Sequence, residues 1–242
     1  MSAPKNETPI PERDIGFEFE QRGDRLELRA LHRGNYGPIA ADWSGAELKR
    51  RISGGRRQPL ARAVGMHKDP APSLLDANAG LGRDGYTLAA LGASVTLVER
   101  NPSIVELLRN AHQRVLADPQ AQAIGQRIEI IASDARAVFG GDRHWDVVYL
   151  DPMYPDDGKA ALPSKEMQIL RDLTGGDEDA DLLLQPALAC ARQRVVVKRP
   201  LKAPWLGGIE PSMSLRSTQL RFDVYLKSAV RIVRPVHDFH IP

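Results

Sequence analysis

The segment DVVYLDPMYP (146–155) ends an apolar run in a carboxylate and sets an aromatic ring between two prolines. Proline fixes φ and has no N–H to donate. Asp151 and the Pro152 carbonyl therefore form a stiff pair of acceptors, with Tyr154 beside them as a flat apolar surface. An exocyclic amine on a nucleobase needs such a clamp. Its lone pair is delocalised into the ring, so it is a poor nucleophile. Acceptors on its N–H bonds would orient it and favour pyramidal nitrogen as a methyl group arrives. Stacking on Tyr154 would add about 1–3 kcal/mol. The plainer reading of the same residues is a Pro-rich surface turn.

A second constellation precedes the clamp. DANAGLGRDG (76–85) contains Gly80, Gly82 and Gly85 in the spacing G-x-G-x-x-G, after an apolar run and before a helical one. Such glycines let a nucleotide approach the backbone, and a helix N-terminus offers N–H donors. Glu99 ends the next apolar run, where a carboxylate can accept from both hydroxyls of a ribose. A nicotinamide dinucleotide satisfies that much. A tight strand–helix turn with no ligand has the same glycines. Asp76 directly before the turn, and Arg83-Asp84 at the start of the helix, weigh against a pyrophosphate, because carboxylates and phosphates repel. S-adenosylmethionine matches better: it has a ribose for Glu99, no phosphate, and an ammonium and a sulfonium for the acids. Asp134, in ASDA, could accept from the adenine amine or cap the helix that ARAVF begins, and the roles are compatible.

Periodicity gives the elements that would position these residues. Residues 15–31 alternate apolar and charged about a turn at Arg22–Asp24, with Phe17 and Phe19 on one arm and Leu26 and Leu28 on the other. That is a β-hairpin with one buried face. Pro38 and Gly54-Gly55 punctuate the chain between this hairpin and the first strand of the sheet. Strands are expected at 73–77, 94–99, 127–132, 145–150, 194–199 and 221–226. Between them lie a helix at 83–92 and another opened by Asn101 as N-cap with Pro102 at its first position. The acids of DEDAD (177–181) predict a helix N-terminus, and Pro186 a kink within that helix. Strands alternating with helices, each strand a continuous apolar run, imply a doubly wound, mostly parallel α/β sheet.

Composition sets bounds. The 242 residues are 42% apolar and 26% charged with a net charge of +2, ordinary for a globular α/β chain and no signature of nucleic-acid binding. No run approaches the ~18 apolar residues of a membrane span. The start, MSAPKNETPIPERD, is polar and reads as a disordered lead, not a signal peptide. A single cysteine, Cys190, excludes an internal disulfide and a cysteine-cluster zinc site, and the cytoplasm is the expected compartment. His112, His144 and His237 show no ligand spacing, so no metal is expected. The basic residues are clustered: Lys49, Arg50, Arg51, Arg56, Arg57 and Arg62 fall in one acid-free run, and Lys198, Arg199 and Lys202 in another. Such runs are either a solvated face or a track for phosphates.

DPMYP resembles the D-P-P-Y motif of amino-directed methyltransferases, with Met153 in place of the second proline. The wider match is to the RsmJ family, bacterial enzymes that methylate a guanine N2 in small-subunit ribosomal RNA using S-adenosylmethionine. It is carried by GGRRQPLARAVG, DANAGLGRDG, LVERNP, VVYLDPMYP, KEM, GDEDADLLLQPAL, RVVVKRP and RFDVYL, from about Asp42 to Leu226. The resemblance implies a Rossmann-like class I methyltransferase fold with a small N-terminal hairpin appendage. The chain then divides into a lead (1–14), a hairpin and basic linker (15–58), the methyltransferase domain (59–226) and a tail (227–242). By resemblance, cofactor contacts fall on Arg83, Asp84, Glu99, Arg100, Ser133, Asp134 and Asp151; Arg100 and Ser133 rest on it alone. It also implies 16S rRNA or the small subunit as partner, with no obligate protein partner. Arg56, Arg57, Lys159, Lys165, Lys198 and Arg199 become the candidate RNA contacts.

The expected chemistry is direct transfer to the amine with inversion at the methyl carbon. No covalent adduct is expected, because Cys190 sits in a helix away from the clamp. Three departures from the family touch the substrate side or the end: a short glycine run in ISGGRRQ, Tyr154 where phenylalanine is frequent, and the tail. The competing readings are an amino methyltransferase for adenine N6 in DNA or another RNA base, a nicotinamide-dependent oxidoreductase, and an RNA-binding module without catalysis.

Overall fold

The computed structural model describes residues 16–153, 164–176 and 179–227. The lead, the tail beyond Lys227, Tyr154 and Lys159 lie outside the described residues.

The N-terminal strands β1 (Phe17–Arg22) and β2 (Arg25–Ala30) form the expected hairpin, with Phe17 opposite Ala30 and Phe19 opposite Leu28. Seven further strands build one sheet: β3 (Ser73–Asp76), β4 (Ser94–Glu99), β5 (Ile128–Ala132), β6 (Trp145–Leu150), β7 (Ala191–Pro200), β8 (Met213–Arg216) and β9 (Leu220–Leu226). Their order is β5-β4-β3-β6-β7-β9-β8. The first five are parallel, and β9 and β8 finish one edge antiparallel. Helices α1 (Ala46–Ser53), α2 (Pro59–Ala63), α3 (Arg83–Ala90), α4 (Pro102–Ala117), α5 (Gln122–Gly125), α6 (Ala135–Phe139), α7 (Lys165–Thr174) and α8 (Leu184–Cys190) complete the described elements. None is long and apolar enough to cross a membrane.

Successive strand residues point to opposite faces. Leu74, Leu97, Val147 and Val196 enter one core; Leu75, Val98, Val148 and Val197 enter the other. Both faces are covered, which is why these strands read as unbroken apolar runs. Two glycines of the motif are there for packing. A Cβ on Gly85 would lie 2.3 Å from Leu97 Cδ2, so α3 seats directly on β4. Gly82 has φ +73°, and a Cβ there would meet Leu108 and Trp43 at 2.8 Å. Trp43 closes this corner, donating from Nε1 to Leu81 O at 2.9 Å and stacking on Tyr86. The α4 start is as expected: Asn101 accepts from Ile104 N, with Pro102 leading the helix.

Two expected elements differ. Of the acids at 177–181, the described Asp179 and Asp181 belong to a single 3-10 turn, Ala180–Leu182, and α8 starts at Leu184. Pro186 thus falls in the first turn of α8, where its missing N–H has no intrahelical partner to lose, so it makes no kink. The basic stretch expected as a linker is helical, because Leu48 is buried on one face of α1 while Lys49 and Arg50 face water.

The hairpin packs on α4, not on a sheet edge. Leu26 N donates to Asn110 Oδ1 at 3.0 Å, and Asn110 Nδ2 donates to Asp24 O at 2.9 Å. Phe17, Leu28 and Ala30 join the core that contains Leu107, whereas Phe19 stays exposed. The chain leaving β2 then clasps α7. Arg33 and His32 both pair with Asp172, and Tyr36 donates to Gln168 Oε1 at 2.7 Å. In this way the hairpin holds in place α7, a helix that walls the cleft at the carboxyl end of the sheet.

Candidate active site

A cleft of about 680 Å³ opens at the carboxyl ends of the parallel strands. Asp76 comes from β3, Glu99 from β4, Asp134 from the end of β5, Asp151 from the end of β6 and Lys198 from β7. Open α/β sheets bind ligands at this end.

Asp76 is 2% exposed and accepts from the Asn78 backbone amide, but among the described residues its Oδ1 has no hydrogen-bond partner. Asn78 Oδ1, two residues on in the same wall, is also buried without a partner. Each such atom costs about 1–3 kcal/mol unless a ligand satisfies it. Burial, then the charges of Asp84 and Asp151, push the Asp76 carboxyl well above the usual carboxylate range. A cation brought to Oδ1 would offset both effects. Gly80 has φ +52°, and nothing lies within 4 Å of a Cβ placed there, so the turn leaves open space beside the backbone.

Glu99 is fixed by the turns it joins. Its Oε2 accepts from Gly80 N at 3.0 Å and its Oε1 from Asn101 N at 2.8 Å. A carboxylate held at both oxygens by backbone amides presents its remaining lone pairs in set directions, as a diol requires. Asp134 caps α6 by accepting from Arg136 N at 2.8 Å, and the Arg136 guanidinium chelates it at 2.9 Å on each oxygen. That bond from Arg136 holds the Asp134 carboxyl below its ordinary range. Ser133 ties the neighbouring strand ends together, its amide donating to Glu99 O at 3.0 Å. Arg100 donates to Gly176 O at 2.9 Å. Arg83 pairs both terminal nitrogens with Glu166 at 2.9 Å, tying α3 to α7.

Asp84, expected at the cationic end of a cofactor, lines the cleft. Its carboxylate is committed to the protein: Arg51 pairs with Oδ1, Tyr149 donates to Oδ2 at 2.7 Å, and Lys198 Nζ lies 3.0 Å from Oδ2. Burial alone would raise its pKa; Lys198 and Arg51 outweigh burial and hold it far below the usual range. Lys198, expected to contact RNA, lines the cleft as well. Its ammonium also reaches Asp151 Oδ2 at 2.7 Å, so two carboxylates already balance the charge that was expected to face phosphate. Burial would lower the Lys198 pKa, but Asp151 and Asp84 raise it well above normal.

Lys198→Met should therefore destabilise the fold by about 1–3 kcal/mol, the low side for a broken buried pair because Arg51 still serves Asp84. The check is thermal melting, with the deficit shrinking as acid protonates the stranded carboxylates.

Arg199, also expected to face RNA, lines the cleft near the end of β7. It is 5% exposed and donates to Pro204 O from Nε and Nη2 at 3.2 and 2.9 Å, so it braces a loop from inside. Arg56 and Arg57 are exposed, but Arg56 donates to Leu91 O, at the end of α3 opposite the glycine turn. They do not border the cleft as expected. Lys165 is exposed at the start of α7, 3.2 Å from Asn35 O and over the Tyr36 ring. Pro152 is buried and Met153 half-buried, and both line the cleft.

Sequence reasoning missed Arg51, Tyr149, Asn78 and Glu166. The Tyr149 hydroxyl is hidden in a strand that reads as apolar, and Arg51 stands 33 residues from Asp84 in an undifferentiated basic run. Asn78, inside the glycine turn, was within reach: a side-chain amide there has few local partners.

A family model of SAM-dependent methyltransferases matches residues 7–227. The chain is 44% identical over 219 residues to ribosomal RNA small subunit methyltransferase J of Vibrio vulnificus, spanning 86% of this chain and 85% of that one. It is 45% identical to the protein of the same name from Pseudomonas aeruginosa, over 90% and 85% of the two chains. Its fold matches the crystal structure of a SAM-dependent methyltransferase from Neisseria gonorrhoeae with a TM-score of 0.69 and 30% identity, over 96% and 88% of the chains. With an unpaired acid, a fixed carboxylate and a Pro-braced Asp converging in one cleft, the chain belongs to the S-adenosylmethionine-dependent methyltransferases, in the family of ribosomal RNA small subunit methyltransferase J.

Proposed function

We propose that this chain transfers a methyl group from S-adenosylmethionine to the exocyclic N2 amine of one guanosine in 16S rRNA, free or in the small subunit, in the cytoplasm. The observation that carries the proposal is the placement of Asp151 at the end of β6, salt-bridged to Lys198 at 2.7 Å, in the cleft that also holds the unpaired Asp76. The relatives' printed name supports the substrate class.

Bound S-adenosylmethionine supplies an electrophilic methyl group on a sulfonium. Asp76 would meet its cationic amino-acid end and Glu99 its ribose hydroxyls. Asp134 would accept from the adenine amine while still capping α6. Arg83, Asp84, Arg100 and Ser133 hold the walls through their contacts with Glu166, Arg51, Gly176 and Glu99. Asp151 and the Pro152 carbonyl would accept from the guanine amine, and Tyr154 would stack on the base. A guanine in a helix must first be unstacked to reach them. Lys159 and Lys165, which follow the clamp in sequence, are the basic residues we assign to RNA phosphates, with Arg57 as an outlying contact.

The test is transfer of labelled methyl to intact small subunits, naked 16S rRNA and DNA, followed by nucleoside analysis. N2-methylguanosine is the expected product. Label in N6-methyladenine or another base would replace the substrate while keeping the clamp, and no transfer to any acceptor would overturn the proposal.

A further inference from the structure

Two buried arginines brace the chain that follows β7, and of the two Arg199 also lines the cleft. Arg221 and Arg199 are each 5% exposed. Arg221 pairs with the fully buried Asp223 at 2.9 Å. Its Nη1 donates to Pro200 O at 2.9 Å and Leu201 O at 2.7 Å, and its Nη2 to Ala203 O at 2.8 Å. Arg199 donates to Pro204 O. Four carbonyls of one short surface loop are thus drawn inward onto two guanidinium groups. Burying charge is costly unless it is fully paired, so this is a strong brace for a loop with no regular structure.

The braced loop displays apolar and basic side chains. Leu201 is 38% and Trp205 41% exposed, and Lys202 between them is exposed as well. Leu182, 67% exposed, lies on the adjoining turn, where Gly207 N donates to Asp181 Oδ1 at 2.9 Å. The loop lies between two points of the cleft wall: Pro200 at one end lines the cleft, and the turn at the other end follows Asp179, which also lines it. Three exposed large apolar side chains at one rim mark an interaction site.

We infer that Trp205, with Lys202 beside it, is a stacking platform for an unpaired nucleobase of the RNA next to the target nucleotide. This rests on the RNA methylation proposed for the chain. A flat ring held by a rigid backbone binds a base without first being ordered, and the neighbouring ammonium suits the phosphate linking that base to its neighbour. A rigid platform outside the catalytic clamp would hold the strand while the target guanine is turned into the cleft.

The experiment uses the exposure contrast among the three tryptophans of the chain, since Trp43 and Trp145 are each 2% exposed. Quenching of tryptophan emission on titration with 16S rRNA therefore reports Trp205. In the wild type, RNA quenches the emission. Trp205→Ala abolishes the quenching and raises the KM for RNA by about 5- to 100-fold. Its melting temperature and its dissociation constant for S-adenosylmethionine match the wild type. Trp205→Phe recovers most of the KM. An unchanged RNA KM in Trp205→Ala, or quenching by ribosomal proteins but not by naked RNA, would overturn the inference. RNA binding and quenching without methyl transfer would instead overturn the activity and leave the platform standing.

Discussion

Asp151→Ala should lower kcat for methyl transfer by about 10²–10³-fold, the range seen when one preorganised polar partner is removed from a reacting centre. The amine gains positive character as its lone pair commits to the methyl carbon, and Asp151 is the carboxylate at the end of β6 that can face it. Lys198 keeps this carboxylate in place, and after the substitution it retains Asp84 as a partner, so the fold survives. Cofactor affinity should change by no more than a few-fold, because Asp76 and Glu99 are untouched. Asp151→Asn keeps an acceptor in place and should lose less. Single-turnover kinetics with saturating RNA, beside calorimetry with S-adenosylmethionine, separate the two effects. A wild-type kcat with only a raised RNA KM would reduce Asp151 to a substrate-positioning role and sink the clamp.

Asp76→Asn should have two opposite effects. Cofactor affinity falls by about 10²-fold, roughly the 1.5–3 kcal/mol of one charge-assisted hydrogen bond. Stability rises by about 1–2 kcal/mol at neutral pH, since a buried carboxylate without its full set of partners is replaced by a neutral amide. That is a gain of a few degrees in melting temperature for a chain of this size. The pH dependence stems from the raised pKa of Asp76, caused first by burial and then by Asp84 and Asp151. The folded protein keeps a proton there that the unfolded chain has already lost, so the wild type loses stability as pH rises above the unfolded carboxylate pKa. The gain of the variant should accordingly vanish in acid and grow toward neutrality. Wild-type cofactor affinity should rise with pH as Asp76 ionises, while that of Asp76→Asn stays flat over the same range. Equal affinity of the two proteins, or a less stable variant at neutral pH, would remove Asp76 from the binding site.

Much of the architecture was legible in the sequence because it depends on short-range patterns. The strands at Ser94–Glu99 and Trp145–Leu150 have the expected bounds, since unbroken apolar runs flanked by polar residues fit only strands buried on both faces. Asn101-Pro102 and the glycine turn announced themselves by local backbone chemistry. The DEDAD stretch misled for the same reason: acids suit a helix N-terminus, but the chain here makes one 3-10 turn and uses Asp181 to hold Gly207 N. That Asp76, Glu99, Asp134 and Asp151 share one cleft was legible because each closes or comes just after an apolar run at the same end of the sheet.

Charge pairing is where the sequence by itself ran out. The types and order of the site acids, the glycine turn and the Pro-braced clamp are properties of the chain. Which acid is left for a ligand is a property of the fold. Asp84 takes Arg51 from 33 residues away and Lys198 from 114, and Lys198 reaches Asp151 across 47. Nothing in local sequence distinguishes those cations from Arg50 or Lys202, which remain at the surface. Only tertiary packing brings α1 and β7 against α3, satisfies Asp84 and leaves Asp76 unpaired, because a buried ion pair depends on distances that no spacing along the chain encodes.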